Sequence, residues 1–382
     1  MRADIENYQP PTPQLQQRDG ETWLAFMGDA LAAPGEAVAL ITPDHPTAYA
    51  VVVAHPGGRR ARLWMPQWPE WCAPGVNLEA TGQKAALGLS PGGVVELSST
   101  HILPRAEGTT PLWPERVAMS ELEGKREGID VGVDVLDLIA PLARGGINLI
   151  IDTREKATSP SKLFCALGQR VREQLVSAYG PLHTLDMTGH LQAPDTRVVT
   201  GTSPGEQASA LRLAVALAAS LRHRTSTLNL LTLPDLQPFT HTHAPETVAR
   251  GVGMAELVDM ISEQLVSTHD ASHTTLLYLR VSPELGGLGD IIETLDLGAV
   301  DAQIIIGPDG TFEPGRSHSR VELGEDDERR RQAALSALAQ GARAAERAAI
   351  FGDEELDDEE LESIRRARAL RVNLSEALTA ED

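Results

Sequence analysis

The stretch RGGINLIIDTREKATS, residues 144–159, passes from an apolar run into a polar segment. Residues 149–151 predict a short buried strand. A helix is expected after the polar segment, because Ser159 can cap it and Pro160 suits its first turn. Its apolar residues share one face at helical spacing: Leu163, Phe164, Leu167, Val171 and Leu175. The stretch therefore predicts a strand, a loop and a helix.

The same alternation continues from residue 128 towards residue 323. Further strands are predicted at 182–187, 196–200, 228–233, 274–281 and 302–306, and helices at 207–224, which is strongly amphipathic, and 254–266. Strands that alternate with helices favour a parallel sheet covered by helices, which is an α/β fold. From residue 324 the pattern is helical, at 325–350 and 357–370, with a break at Phe351-Gly352.

The first third of the chain has a different pattern. Short strands predicted at 37–42, 49–55, 61–65, 75–80 and 94–99, with Pro-Gly and Pro-Asp turns between them, indicate a small barrel or sandwich. Residues 1–20, with several prolines and glutamines, predict a flexible arm. We therefore expect an arm (1–20), a β-barrel-like domain (21–105), an α/β domain (106–323) and a helical C-terminal domain (324–382).

The charge balance limits the possible partners. The 382 residues include 33 Lys and Arg against 54 Asp and Glu, a formal charge of -21. Such a field repels nucleic acid and anionic membranes and favours basic partners. No stretch approaches the ~18 apolar residues of a membrane span, no secretory signal is evident at the N-terminus, and the two cysteines lack metal-like spacing. These features predict a cytoplasmic protein with no nucleic-acid partner and no direct membrane insertion.

The polar segment after the strand stands where nucleotide hydrolases carry a phosphate loop. Such a loop needs glycines for close backbone approach, a lysine for the phosphates and a Ser or Thr hydroxyl for magnesium. This segment contains no glycine, and two of its residues are acidic: Asp152, Thr153, Arg154, Glu155, Lys156, Ala157, Thr158 and Ser159. By itself it indicates only an ordinary strand–loop–helix connection.

The preceding residues carry a family resemblance. VGVDVLDLIAPLARGG (131–146) resembles TGIKVIDLLAPYx[KR]GG, which precedes the phosphate loop in beta subunits of F-type ATP synthases. That family continues without a gap into GGAGVGKT. Residues 152–159 take its place, with Thr158 at the position of the lysine, Ser159 retaining the hydroxyl and Lys156 two positions early. The resemblance extends over about residues 128–376.

Other matches follow in the family's order. LLTLPDLQPFT (230–240) resembles LLFIDNIFRFT, with Pro234 at the position of the magnesium-directed aspartate and Asp235 beside it. His190 takes the place of the catalytic glutamate. Tyr278 falls on the tyrosine of VYVP, which the resemblance implies could contact adenine.

Two later segments resemble parts of the family that serve neighbouring subunits. SHSR (317–320) is similar to STSR, and the resemblance implies that Arg320 could act as an arginine finger to a neighbour. IFGDEELDDEE (350–360) resembles ILGMDELSEED, which touches the central shaft. That resemblance implies a shaft contact through Glu354, Glu355, Asp357, Asp358, Glu359 and Glu360.

The resemblance implies a RecA-like, P-loop-type core with an N-terminal β-barrel and a short helical domain. The expected function is that of a non-catalytic, beta-like subunit of a rotary ATPase ring, peripheral to a membrane complex through its partners, with no cofactor. The alternatives are an active subunit that hydrolyses or synthesises ATP with magnesium, coupled to proton transport and using Lys156, Ser159 and Asp235, or a free-standing scaffold that kept only the fold.

Overall fold

The computed structural model describes most of the chain, in the ranges 12–19, 22–29, 32–89, 92–107, 109–112, 126–154, 161–200, 203–221, 229–233, 236, 258, 261–268, 272–281, 300–352 and 356–379. The chain forms two compact units. The first contains Met1–Glu115 and Thr196–Leu221, and the second contains Arg116–Asp195 and Arg222–Asp382. Residues 196–221, predicted within the α/β domain, thus belong to the first unit.

Strands account for much of both units. In chain order they are β1 (Gln14–Asp19), β2 (Thr22–Phe26), β3 (Glu36–Ile41), β4 (Ala48–Gly57), β5 (Arg60–Trp64), β6 (Asn77–Leu87), β7 (Gly93–Val95), β8 (Ile102–Pro104), β9 (Thr110–Pro111), β10 (Glu127–Ile129), β11 (Leu142–Arg144), β12 (Ile147–Asp152), β13 (His183–Asp186), β14 (Thr196–Val198), β15 (Asn229–Leu233), β16 (His273–Arg280), β17 (Ala302–Ile306) and β18 (His318–Ser319).

The helices lie mainly in the second unit. They are α1 (Asp134–Ile139), α2 (Lys162–Tyr179), α3 (Pro204–Leu221), α4 (Glu325–Phe351), α5 (Asp358–Ala369) and α6 (Leu374–Thr379). Of the predicted helix 254–266, the structure describes residues 258 and 261–266, and of these 258 and 261–265 are helical. None of the helices in the described ranges is both long and apolar enough to cross a membrane.

The first unit contains an antiparallel sheet with the order β1-β2-β5-β4-β3-β6-β8. β1 also pairs with β6 through Gln14 and Asn77, so the pairings from β1 to β6 close into a ring. The expectation of a flexible arm is wrong for residues 14–19, which form β1. Leu15 anchors this strand, because its side chain is buried and its backbone exchanges hydrogen bonds with Val76 and Gly75.

Helix α3 is also part of the first unit. Its hydrophobic residues are buried on nearly every side, including Leu211, Leu213 and Leu217. The prediction of an amphipathic helix is therefore wrong, since a helix that is apolar all round is a buried one. Trp64 Nε1 donates to Ser209 Oγ at 3.2 Å, and the Arg212 guanidinium lies 5.5 Å from the centre of the Trp64 ring. Burial lowers the pKa of Arg212 to about 10.

The second unit is built on parallel strands in the order β17-β12-β16-β15-β13, with β18 antiparallel to β17. Every residue of β12, β15 and β17 is buried, as is typical of strands covered on both faces. The mixed α/β architecture expected from the sequence is therefore present. The predicted face of α2 is confirmed, because Leu163, Phe164, Leu167, Val171 and Leu175 are all buried. Its N-cap is Ser161, whose hydroxyl accepts from Phe164 N, and not Ser159.

The turn that leads into β12 is tightly packed around Gly145 and Gly146. Gly145 has a φ of 69°, a left-handed conformation that suits glycine. Asn148 is fully buried, and its side-chain amide bonds the backbone of Ala143, Gly146 and Thr275. A Cβ added at Gly146 would lie 2.7 Å from both Ala143 Cβ and Asp301 Oδ2.

The Gly146→Ala variant should lose stability, because Asp301 cannot move away at low cost. Its carboxylate accepts from Ile147 N at 2.9 Å and pairs with Arg126 Nε at 3.1 Å. Overpacking of this kind typically costs about 1–3 kcal/mol, measurable as a lower urea midpoint. The control is Gly315→Ala, since a Cβ added there meets nothing within 4 Å. Equal midpoints for the two variants would contradict the packing argument.

Candidate functional site

The candidate site lies at the carboxyl ends of the parallel strands. β12 ends at Asp152, which is paired with Arg280 of β16 on one side and Ile306 of β17 on the other. In open α/β sheets this edge is where ligands bind. It is also the edge at which the sequence predicts a degenerate phosphate loop.

The side chain of Asp152 is fully buried and is neutralised within the protein. Arg154 Nε donates to Oδ1 at 2.9 Å, and Arg154 Nη2 donates to Oδ2 at 2.6 Å. This bidentate geometry is the strongest form of a carboxylate–guanidinium pair. The hydrogen bond with Asp152 raises the pKa of Arg154 above its ordinary value.

Tyr278 completes this cluster, which we call the Asp152 cluster (Asp152, Arg154 and Tyr278). Its hydroxyl donates to Asp152 Oδ2 at 2.9 Å. Its ring is fully buried, with its centroid 5.1 Å from that of Phe164 in α2. The tyrosine predicted to contact adenine therefore lies in the core and presents no exposed face to a base.

The backbone after β12 is also occupied. Thr153 N and Thr153 Oγ1 both donate to Ile306 O, at 3.1 and 2.7 Å. Arg154 N donates to Asp152 Oδ1 at 3.1 Å. A phosphate loop binds its ligand through backbone N–H groups. The backbone N–H groups of Thr153 and Arg154 are already hydrogen-bonded to acceptors within the protein.

The remaining residues of the predicted nucleotide site fall outside the part of the chain that the structure describes. These are Glu155, Lys156, Ala157, Thr158 and Ser159 of the loop, and Pro234 and Asp235 after β15.

A second buried carboxylate, Asp186, lies at the carboxyl end of β13 and was not predicted. Its Oδ1 accepts from Thr188 N at 2.8 Å, Thr188 Oγ1 at 2.6 Å and Thr232 Oγ1 at 2.8 Å, and its Oδ2 accepts from Leu191 N at 3.2 Å. Burial, and secondarily the charge of Asp186, raise the pKa of the Cys165 thiol to about 11. The signal in the sequence is an Asp-x-Thr turn that begins at the last residue of β13.

The structure does not bring His190 or Arg320 to the Asp152 cluster. His190 is exposed in the loop after β13, where its backbone N donates to Thr188 Oγ1. Arg320 is exposed beyond β18, and its backbone N donates to Asp301 O at 2.8 Å. Asp301 precedes β17, so Arg320 lies at the amino end of the sheet, opposite Asp152.

The acidic elbow (residues 350–360) joins α4 to α5. Asp357 caps α5 by accepting from Glu360 N at 2.8 Å, and Glu360 accepts in return from Asp357 N at 3.1 Å. Glu360 also pairs with Arg347 of α4. Asp358 and Glu359 are exposed, and Glu354 and Glu355 lie outside the described residues. Ile350 and Phe351 expose 74% and 63% of their surface, which is unusual for large apolar side chains beside charged ones.

No known family model matches this sequence. Within the described ranges, no group of three or more His, Cys, Asp or Glu residues is arranged to hold a metal ion.

Replacing Arg154 should be costly, because the charge of Asp152 would be left buried. Breaking a buried pair by removing one partner costs about 3–5 kcal/mol, so Arg154→Met should lower the free energy of unfolding by several kcal/mol in urea titrations. The control is Arg329→Met, whose partners Glu325 and Asp326 are almost fully exposed.

The double variant Asp152→Asn/Arg154→Met separates charge from packing. It removes both charges, and we expect it to recover part of the stability lost in Arg154→Met. An effect of Arg154→Met no larger than that of Arg329→Met would contradict the assignment of a buried ion pair.

Proposed function

We propose that this chain is a non-catalytic, beta-like subunit of a rotary ATPase-type ring. The observation that carries this proposal is the Asp152 cluster, which occupies the strand end where the family that the sequence resembles binds phosphate. The family assignment itself depends on the ordered sequence resemblance over residues 128–376. The parallel order β17-β12-β16-β15-β13 is compatible with it, because β12 is interior and its carboxyl end is flanked by two other strands.

The electrostatics of the cluster argue against phosphate binding. The single positive charge of Arg154 is already matched by Asp152 in a buried, bidentate pair. A polyphosphate at this edge would have to compete for that guanidinium and would expose the Asp152 carboxylate to repulsion. The two N–H groups of Thr153 and Arg154 would also have to give up their present acceptors.

The features that would serve other subunits remain accessible. Arg320 is exposed, and the acidic elbow presents charged residues together with Ile350 and Phe351. An exposed apolar pair rimmed by charges is typical of a protein contact. A basic partner surface would suit this acidic chain, whose formal charge is -21.

We expect the purified chain not to hydrolyse ATP and to bind magnesium-ATP weakly or not at all. Each electrostatic group lost from such a site costs about 10²–10³ in rate, and Thr158, Pro234 and His190 replace three of them. Calorimetry and a phosphate-release assay measure both properties. Hydrolysis at an ordinary enzymatic rate that is lost in Lys156→Ala would support the active alternative and overturn this proposal.

Rebuilding the loop is the complementary experiment. A chain with GGAGVGKT at residues 152–159 loses the Asp152 carboxylate and regains glycines and a lysine. Its affinity for ATP should rise if the fold is that of the family. Circular dichroism establishes whether the rebuilt chain is folded, so that a folded chain without increased affinity counts against the fold assignment.

In a reconstituted complex, Arg320→Ala should slow ATP hydrolysis without dissociating the subunits. If Arg320 faces a competent neighbour's nucleotide, its loss removes positive charge from the transition state. The matched control is Arg316→Ala, an exposed arginine four residues earlier.

The complex would be assembled from the products of the neighbouring genes. If the chain fails to co-purify with ATP synthase-like subunits, the alternative of a free-standing scaffold is favoured. Equal rates for both variants in an intact complex would leave Arg320 without a catalytic role.

A further inference from the structure

The first unit contains an aromatic cavity that the proposed function does not use. It has a volume of about 490 Å³, within the range of small-molecule sites. The segment between β5 and β6 supplies Trp68 and Trp71, two of the five tryptophans in the chain. Tyr49 of β4 adds a third aromatic side chain to the lining.

The tryptophans of this cavity are held in place by contacts in the same unit. The Trp71 ring stacks on His45, with centroids 5.2 Å apart and planes 9° from parallel. The Trp68 ring lies 6.1 Å from Trp23 at a tilt of 55°. Both Trp68 and Trp71 remain half-buried, so part of each ring is accessible to a ligand. Rings fixed in advance lose little conformational freedom when a ligand binds.

With histidine counted as neutral, the charge of the cavity has one sign, although His101 also belongs to the lining. Glu70, between the two tryptophans in sequence, is exposed and lines it. The lining includes no lysine or arginine among the described residues of this unit. Aromatic faces carry the negative side of a quadrupole, and the chain as a whole has a formal charge of -21. The cavity therefore attracts cations and repels anions.

The apolar part of the lining selects among cations. Met65, Ile102 and Leu103 contribute hydrocarbon surface beside the rings. A small, strongly hydrated metal ion gains nothing from such walls. A cation with its charge spread over apolar or planar groups fits both the carboxylate and the rings.

We propose that this cavity binds an organic cation, either a quaternary ammonium compound or the guanidinium of an arginine side chain. The two sources share one chemistry, which is a diffuse positive charge that would lie beside the aromatic side chains and the carboxylate of Glu70. This site is independent of the Asp152 cluster, which belongs to the other unit.

The test compares charged probes with uncharged isosteres on the full chain. Choline and dimethylbutanol, its uncharged carbon analogue, would be titrated at constant ionic strength and followed by calorimetry. N-acetyl-arginine amide and N-acetyl-citrulline amide form the second pair. A cation–π contribution of about 1–2 kcal/mol corresponds to roughly five- to thirtyfold tighter binding of the charged probe. Preference for choline or for the arginine amide identifies the source.

Variants then locate the binding site. Glu70→Gln should weaken binding several-fold, whereas Glu79→Gln, at another exposed glutamate of the same unit that is outside the lining, should not. Trp71→Leu should abolish binding and Trp71→Phe should retain part of it. Circular dichroism would establish that each variant is folded.

Three outcomes would overturn the proposal. The uncharged probes could bind as tightly as the charged ones, Glu70→Gln could have no more effect than Glu79→Gln, or neither cation could saturate the chain in the millimolar range. Tight binding of the uncharged probes alone would indicate a site for a neutral ligand such as a proline-rich peptide.

Discussion

Burying the carboxylate of Asp152 at the end of β12 places a requirement on its surroundings. An ionised group removed from water must recover its lost hydration from fixed charges and hydrogen-bond donors. Arg154 supplies the charge and two side-chain bonds, Tyr278 supplies a hydroxyl, and the backbone N of Arg154 supplies a fourth donor. The placement of Arg154 suits this requirement, because both its side chain and its backbone N–H reach back to the Asp152 carboxylate.

Asp186 and Asn148 meet the same requirement by other means. Asp186 accepts hydrogen bonds from the hydroxyl and backbone amides of its own loop, at Thr188 and Leu191, and from the hydroxyl of Thr232. Asn148 is neutral and fixes the turn at Gly145 and Gly146. Both ends of the parallel sheet are thus organised by buried polar side chains that are fully engaged with the protein itself. Such networks favour one arrangement of the loops over others.

Much of the parallel sheet could be predicted from the sequence, because strands such as β12, β15 and β17 are continuous apolar runs between polar segments. The face of α2 was predictable for the same reason. β1 was not, since QLQQRD contains a single apolar anchor, Leu15, and its polar side chains resemble those of a solvated arm. The environment of α3 was also missed, because helical spacing indicates which residues share a face and not how many faces are covered.

The lack of glycine in residues 152–159 could be read from the sequence, but the partner of Asp152 could not. Tyr278 lies 126 positions away along the chain and meets Asp152 only through the register that pairs Ile150 with Tyr278. Helix α3 also packs in a unit most of whose other residues are distant from it along the chain. Because Thr196–Leu221 belongs to the first unit while the chain before and after it belongs to the second, the chain crosses between units three times. During synthesis the first unit therefore remains without its buried helix until residue 221 has left the ribosome, and a fragment ending at residue 115 would expose the apolar surface that α3 covers.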